Sequence, residues 1–183
     1  MSRGNVLLLF GLSGAGKTTA LRQLERKGLV DTSPKFTNRP VSSNHDDSRD
    51  FIFCEDVDFP HIDVLEFESY GHRFGVQLQE VSKSLDAGRT HAIIVGSSAA
   101  VARFRELYGE RVVSLLIYCD ANELERRSRM DSKRSKRWRE IQVEIDGFYA
   151  QLGAVDFVYD ATKHDSDGVR LINTLSRFGG ANG

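Results

Sequence analysis

Apolar and polar positions divide this chain into stretches of two periods. Val6-Leu7-Leu8-Leu9-Phe10 is apolar throughout and closes on Gly11, the pattern of a strand covered on both faces. From Gly16 the period becomes helical: Ala20, Leu21 and Leu24 are apolar, Arg22, Gln23, Glu25 and Arg26 polar, and Gly28 follows Lys27 as a stop. Between Val30 and about Gln79 the runs are short and mixed, at 35–37, 51–54, 64–67 and 73–76, with a polar break at 42–48. This predicts a small β-rich insertion in place of a crossover helix. The earlier pattern then returns. A helix is predicted over 77–87 with Gly88 as its stop, a strand over 92–95, a helix over 98–108 stopped by Gly109, and a strand over 112–118. Asp120 or Asn122 would cap the next helix. A short strand over 156–159 and a closing helix over 167–178, with Val169, Leu171, Ile172 and Leu175 apolar, complete the pattern, and the last five residues read as a frayed tail. Strands alternating with helices predict an α/β fold with a central parallel sheet flanked by helices.

Composition narrows the partners. The 183 residues are 40% hydrophobic and 28% charged with a net charge of −1, so no global field points to nucleic acid or membrane. Cys54 and Cys119 each sit in an apolar stretch and read as buried core thiols without a disulfide. The N-terminal apolar run is too short for a signal-peptide core or a membrane span, which sets a reducing, cytoplasmic location as the expectation.

The stretch that carries chemistry is Gly11-Leu12-Ser13-Gly14-Ala15-Gly16-Lys17-Thr18, a G-x-x-x-x-G-K-T spacing between a predicted strand and a predicted helix. Its glycines let backbone N–H groups converge on a phosphate, and the helix adds its positive end. Lys17 supplies a charge for the β- and γ-phosphates and Thr18 a hydroxyl for Mg²⁺. ATP and Mg²⁺ are therefore the expected cofactors, with Gly11, Ser13, Gly14, Ala15, Gly16, Lys17, Thr18 and Thr19 holding the nucleotide. No acid ends the strand predicted over 92–95, so Asp120 or, preferably, water completes the metal shell. The five histidines show no metal-ligand spacing.

Several stretches resemble the guanylate kinase family of nucleoside monophosphate kinases. Residues Gly11 to Thr19 look like its G-P-S-G-A-G-K-S-T loop. Phe36-Thr37-Asn38-Arg39-Pro40 resembles Y-T-T-R-P, Asp50-Phe51-Ile52-Phe53 resembles D-Y-x-F, Gly71-His72-Arg73-Phe74-Gly75 resembles G-N-Y-Y-G, and Asp156 to Asp160 resembles its late Y-D-Y-V-I-x-N-D strand. The resemblance implies a single P-loop kinase domain. Its core would be 1–30 and 77–183, with an acceptor-binding insertion at about 31–76 and a basic lid at about 126–139. It implies transfer of the γ-phosphoryl of ATP to a small phosphorylated acceptor.

The residues implied for that acceptor are Lys35, Arg39, Phe51, Glu66, Phe74 and Gly75. Arg39 keeps the first of two phosphate-binding arginines, whereas the second position is Ser42. Arg49 or Arg73 would replace it, although both read more simply as solvated charges. The family's tyrosine is Phe51, and its Ser/Thr after the glycine is Val76. Its guanine-binding glutamate falls by count on Leu65, and a one-residue gap is needed to bring in Glu66. GMP specificity is therefore not implied.

Phe74-Gly75-Val76 and Val95-Gly96-Ser97-Ser98-Ala99 also resemble the ribose 1,5-bisphosphate phosphokinase branch. A nucleoside monophosphate and ribosyl bisphosphate both stay open as acceptor, and a non-catalytic binding module is the rival class. The segment Arg126 to Arg139 holds eight basic residues in fourteen positions. By the resemblance it is a lid, with Arg127 and Arg137 the catalytic arginines beside Lys17 and Arg39. A solvated face and a nucleic-acid contact rank behind that reading. Asp46, Asp47 and Asp50 read as a solvated loop, with hydroxyl binding on a sugar acceptor as the alternative.

Overall fold

The computed structural model describes residues 4–41 and 49–130, together with 138–139, 141–143, 145, 148, 153 and 155–162. The loop containing Asp46 and Asp47, most of the expected lid including Arg137, and the closing helix lie outside the described residues.

Among the described residues two four-stranded sheets form. In the first, the strands β1 (Val6–Phe10), β6 (His91–Ile94), β7 (Val112–Tyr118) and β8 (Phe157–Asp160) lie in the order β6-β1-β7-β8. Every residue of β1 is buried, which is why its sequence shows no alternation. Strand β8 runs parallel to β7, with Leu115 opposite Phe157 and Tyr118 opposite Asp160. In the second sheet β2 (Lys35–Thr37), β3 (Phe51–Phe53), β4 (Val64–Ser69) and β5 (His72–Gln77) lie in the order β3-β2-β5-β4. Among the described residues, four α-helices are α1 (Lys17–Arg26), α2 (Leu78–Asp86), α3 (Ser98–Tyr108) and α4 (Ala121–Met130), and residues 138–139, 141–143, 145 and 148 are also helical. Together these elements make the expected α/β fold with a central parallel sheet and flanking helices. Among the described residues no helix is long and apolar enough to cross a membrane.

The chain divides into two compact units. One comprises residues 1–8 and 30–113, the other 9–29 and 114–183, so the division passes through β1 and β7. The first contains the β3-β2-β5-β4 sheet, α2, β6 and α3. The second contains the loop after β1, α1, most of β7, α4 and β8.

Helix ends follow the sequence signals closely. Gly28 and Gly88 adopt left-handed φ values of 66° and 71°. Each ends its helix with a paired set of backbone bonds: Gly28 N to Glu25 O and Leu29 N to Leu24 O for α1, Gly88 N to Leu85 O and Arg89 N to Ser84 O for α2. Asp120, not Asn122, caps α4: its Oδ1 accepts from Glu123 N at 2.8 Å. Ser97 caps α3 by accepting from Ala100 N at 3.3 Å. Gln77, read as helical, extends β5 instead. Of the two cysteines, Cys119 is buried as expected and Cys54 is only half-buried, on the short strand-end facing Thr37 O. Burial pushes the Cys119 thiol up to about 11.

His91 opens β6 and is buried. Its ring nitrogens lie 3.0 Å from Ser84 Oγ and 3.3 Å from Ser33 Oγ, and burial holds its pKa below the ordinary 6.5. A histidine kept neutral in the fold gains a proton on unfolding once the pH drops. Its stabilising contribution is complete above about pH 6.5 and is lost as the pH falls toward the folded value. Urea midpoints at about pH 7.5 and about pH 5.5 should differ, with this proton contributing at most about 1.4 kcal/mol per pH unit. A His91→Gln variant should have a shallower slope.

Candidate active site

The second unit carries the phosphate-loop residues. Gly11 leaves β1 with φ 155°, and a Cβ placed there would sit 2.6 Å from Ile117 O on β7. The loop passes against β7 only because this residue has no side chain. Gly14 and Gly16 follow with φ values of 88° and 106°, and Ala15 N bonds back to Leu12 O at 3.2 Å. No side chain caps α1, and no acid lies in its first turn. The start of α1 therefore suits an external anion, which can take the N–H groups that a capping oxygen would otherwise occupy. Lys17 Nζ donates to Gly11 O at 2.6 Å and to Leu12 O at 2.8 Å, so the ammonium lies against the loop backbone. Ser13 is half-buried, Ala15 is buried, and Thr18 and Thr19 are exposed.

Arg127 ties this loop to the rest of its unit. Its Nη1 donates to Gly14 O and Ala15 O, both at 3.3 Å, and its Nη2 donates to Ala161 O at 2.7 Å, just past β8. Its Nε donates to Glu123 Oε1 at 2.7 Å. Hydrogen bonds from Arg126, then those from Arg127, hold the Glu123 carboxyl down at about 2. All three guanidinium nitrogens thus engage protein oxygens. Shortening the fork should loosen the loop: Arg127→Lys is expected to raise the Kd for ATP by about ten-fold, the equivalent of one hydrogen bond to a charged group. Calorimetry checks this, and a kcat loss at unchanged Kd would instead favour direct contact with the transferring phosphoryl group.

The first unit carries the residues implied for the acceptor, and strand register sorts them onto two faces. Lys35 pairs with Phe51, Thr37 with Phe53 and Phe74, Phe74 with Phe67, and Val76 with Leu65. Directly paired residues share a face, so these form one surface of the β3-β2-β5-β4 sheet. Lys35 Nζ lies 5.4 Å from the centre of the Phe51 ring and 5.8 Å from that of Phe74, and donates to Ile94 O at 2.8 Å. The Arg39 guanidinium lies 4.4 Å from the Phe51 ring centre and 5.5 Å from that of Phe53. Burial lowers Lys35 to about 8; the field of Asp50 opposes that shift and Arg39 adds to it.

Glu66 is not brought to this surface. It pairs with Gly75 on the opposite face, where its carboxylate meets Arg73 Nη2 at 2.8 Å and His61 Nδ1 at 3.2 Å. Arg73 holds the Glu66 carboxyl below the usual range, with His61 adding to the effect. The one-residue gap that would align Glu66 with a base-reading carboxylate reverses its side-chain parity, and the residue on the Lys35 face is buried Leu65. Gly75 also belongs to the opposite face. A Cβ there would fall 2.6 Å from Val64 Cγ1 and 3.1 Å from the Phe59 ring, so packing accounts for the glycine. Arg73, read as a solvated charge or a phosphate ligand, is instead a linker. It also reaches Asp56 at 3.4 Å, and it stacks 4.3 Å from the Phe59 ring centre.

No protein-family model matches the chain, and no curated protein does. Among solved structures it is similar to the guanylate kinase from Anaplasma phagocytophilum, with a TM-score of 0.74 and 22% identity, over 97% of this chain and 87% of that one. A second similar structure, that of APE1195, has a TM-score of 0.50 and 16% identity, over 98% of both chains. The fold is guanylate-kinase-like. At these identities the likeness is one of fold.

Val95, Gly96 and Ser97 follow Ile94, so no acid stands directly after β6. Asp120 spends an oxygen on capping α4, and among the described residues no cluster of potential ligands could hold a metal by itself. Thr18, at the start of α1, is exposed. Sequence reasoning missed four participants: Phe53 beneath Arg39, the Ile94 carbonyl, Glu123, and the Ala161 carbonyl. The i, i+4 spacing of Glu123 and Arg127 and the i, i+2 spacing of Phe51 and Phe53 were the available signals.

Proposed function

We propose that this chain is an ATP-dependent phosphotransferase. The second unit holds Mg²⁺-ATP and the first holds a small phosphorylated acceptor, a nucleoside monophosphate or ribosyl bisphosphate. The carrying observation is the loop over 11–18, where left-handed glycines lead into an uncapped, acid-free helix start with an ammonium against the loop backbone. Lys17 would lend its charge to the β- and γ-phosphates, and backbone N–H groups at the start of α1 would bond their oxygens. Thr18 would help hold Mg²⁺, which neutralises charge on the phosphates when bound. Arg39, carried on the Phe51 ring, would grip the acceptor phosphate with its planar fork.

Transfer breaks the bond from the γ-phosphorus to the oxygen bridging it to the β-phosphate. It makes a bond to an oxygen of the acceptor phosphate, and ADP leaves with the bridging oxygen and its electron pair. A phosphate monoester has a second pKa of about 6, so the attacking oxygen is ionised at neutral pH without a general base. Positioning and charge then account for most of the catalysis. The test is incubation with γ-labelled ATP, magnesium and a panel of GMP, other nucleoside monophosphates and ribose 1,5-bisphosphate. Label should move to at least one acceptor. Label confined to ATP and inorganic phosphate across the panel contradicts the proposal.

A further inference from the structure

We propose that Glu123 is a positioning residue for nucleotide binding, acting on the phosphate loop through Arg127. This rests on the phosphotransferase reading and deepens it by naming what sets the shape of the loop before ATP arrives. A guanidinium is a rigid plane that carries its donors in a fixed fork. Anchoring two of its nitrogens therefore sets where the third points. In Arg127 the anchored pair are Nε, 2.7 Å from Glu123 Oε1, and Nη2, 2.7 Å from Ala161 O. Nη1 then falls 3.3 Å from both Gly14 O and Ala15 O.

Both anchors are built on the end of β7. Ala161 N donates to Tyr118 O at 2.7 Å and Asp120 N donates to Thr162 Oγ1 at 3.0 Å, so the peptide that carries Ala161 O is held from both sides. Asp120 also fixes the backbone of Glu123, accepting from Glu123 N at 2.8 Å and from Leu124 N at 2.9 Å. Arg126 grips the Glu123 carboxylate with Nε at 2.6 Å and Nη2 at 2.7 Å, a two-point contact that fixes its orientation.

The loop needs such a support. Gly14 and Gly16 hold φ values of 88° and 106°, and a glycine backbone has many other conformations open to it. The C=O and N–H of a trans peptide point in opposite directions. Holding Gly14 O and Ala15 O toward α4 turns the N–H groups of Ala15 and Gly16 the other way. Ala15 N meets Leu12 O within the loop, and the Gly16 N–H faces away from Arg127. A loop fixed in advance does not lose that ordering entropy when it binds a phosphate.

Charge and positioning predict opposite signs. Glu123 is a negative charge on the unit that would hold a triphosphate, and by Coulomb repulsion alone its neutralisation should tighten ATP binding. If the carboxylate acts by anchoring Arg127, its neutralisation weakens ATP binding.

The test is calorimetry of the full chain with Mg²⁺-ATP, beside amide hydrogen exchange at residues 12–16 without nucleotide. Glu123→Gln should raise the Kd about three- to ten-fold, the share of a charged hydrogen bond that a neutral amide does not replace, and should speed exchange at 12–16. Glu123→Asp keeps the charge but withdraws it from Arg127, and it should do the same. Glu125→Gln removes an equal charge from α4 at an exposed pair with Arg129, and should change the Kd by less than about two-fold. Glu123→Gln combined with Arg127→Lys should bind ATP no more weakly than Arg127→Lys alone, because Glu123 acts only through Arg127. Unchanged or tighter ATP binding in both Glu123 variants, or additive losses in the double variant, overturns the inference. Weaker ATP binding in the Glu123 variants with no label transfer by the parent protein would refute the phosphotransferase reading alone. Label transfer by a parent protein whose ATP affinity is indifferent to Glu123 would refute this inference alone.

Discussion

Replacing Lys17 by alanine is expected to lower kcat for phosphoryl transfer by about 10²–10³-fold, the scale of losing one preorganised charge stabiliser. The ammonium already lies against the loop backbone, 2.6 Å from Gly11 O and 2.8 Å from Leu12 O, so little reorganisation precedes its use. Removing it also leaves two carbonyls short of a donor, about 1 to 3 kcal/mol each where water does not replace it. The Kd for acceptor should stay near that of the parent protein. Steady-state rates with saturating acceptor, beside a thermal melt, separate the two effects. Retention of more than about a tenth of the parent rate would place the charge of Lys17 outside the reaction.

Gly11→Ala should be the most damaging single methyl addition to the nucleotide-binding unit. The new Cβ would fall 2.6 Å from Ile117 O and 3.5 Å from the Ile117 carbonyl carbon, and both are backbone atoms of a buried strand that cannot swing aside. The residue also keeps φ at 155°, a value L side chains rarely adopt. Overpacking and strain together should cost about 3 kcal/mol, or a fall in Tm of roughly 6–12 °C for a chain of this size. ATP affinity should fall as well, because the first residue of the loop must shift. Gly28→Ala is the control. Its φ is 66° but no atom lies within 4 Å of the added Cβ, so only the backbone penalty of about 1–2 kcal/mol remains. Equal melting temperatures for the two variants would contradict the close approach of the loop to β7.

The elements were legible because local rules and tertiary packing agree. The all-apolar run of β1, the glycine stops after α1 and α2, and the short β-rich runs each have a local cause that the fold preserves. The loop over 11–18 was legible for the same reason, since its spacing forces its conformation. Side-chain partnerships were not. The role of Arg127 depends on carbonyls at Gly14, Ala15 and Ala161, far apart in sequence, and no residue pattern advertises a backbone oxygen. Glu66 was misplaced by a single residue, and in a strand one residue is a whole face. Counting along the chain gave Leu65, which the register puts beside Val76 on the Lys35 side. The pairing of β2 with β3 and β5 is what gathers Lys35, Arg39, Phe51 and Phe74, and pairing is a non-local property.

All of this depends on a loop that captures a triphosphate. Titrating the protein with Mg²⁺-ATP in a calorimeter tests it most directly. A one-site isotherm is expected, with Kd in the range of about 1 μM to 1 mM that enzymes show for such substrates, abolished or strongly weakened when Gly11 is replaced by alanine. No heat, and no rise in melting temperature at nucleotide concentrations of several millimolar or roughly ten times that upper limit, would contradict it.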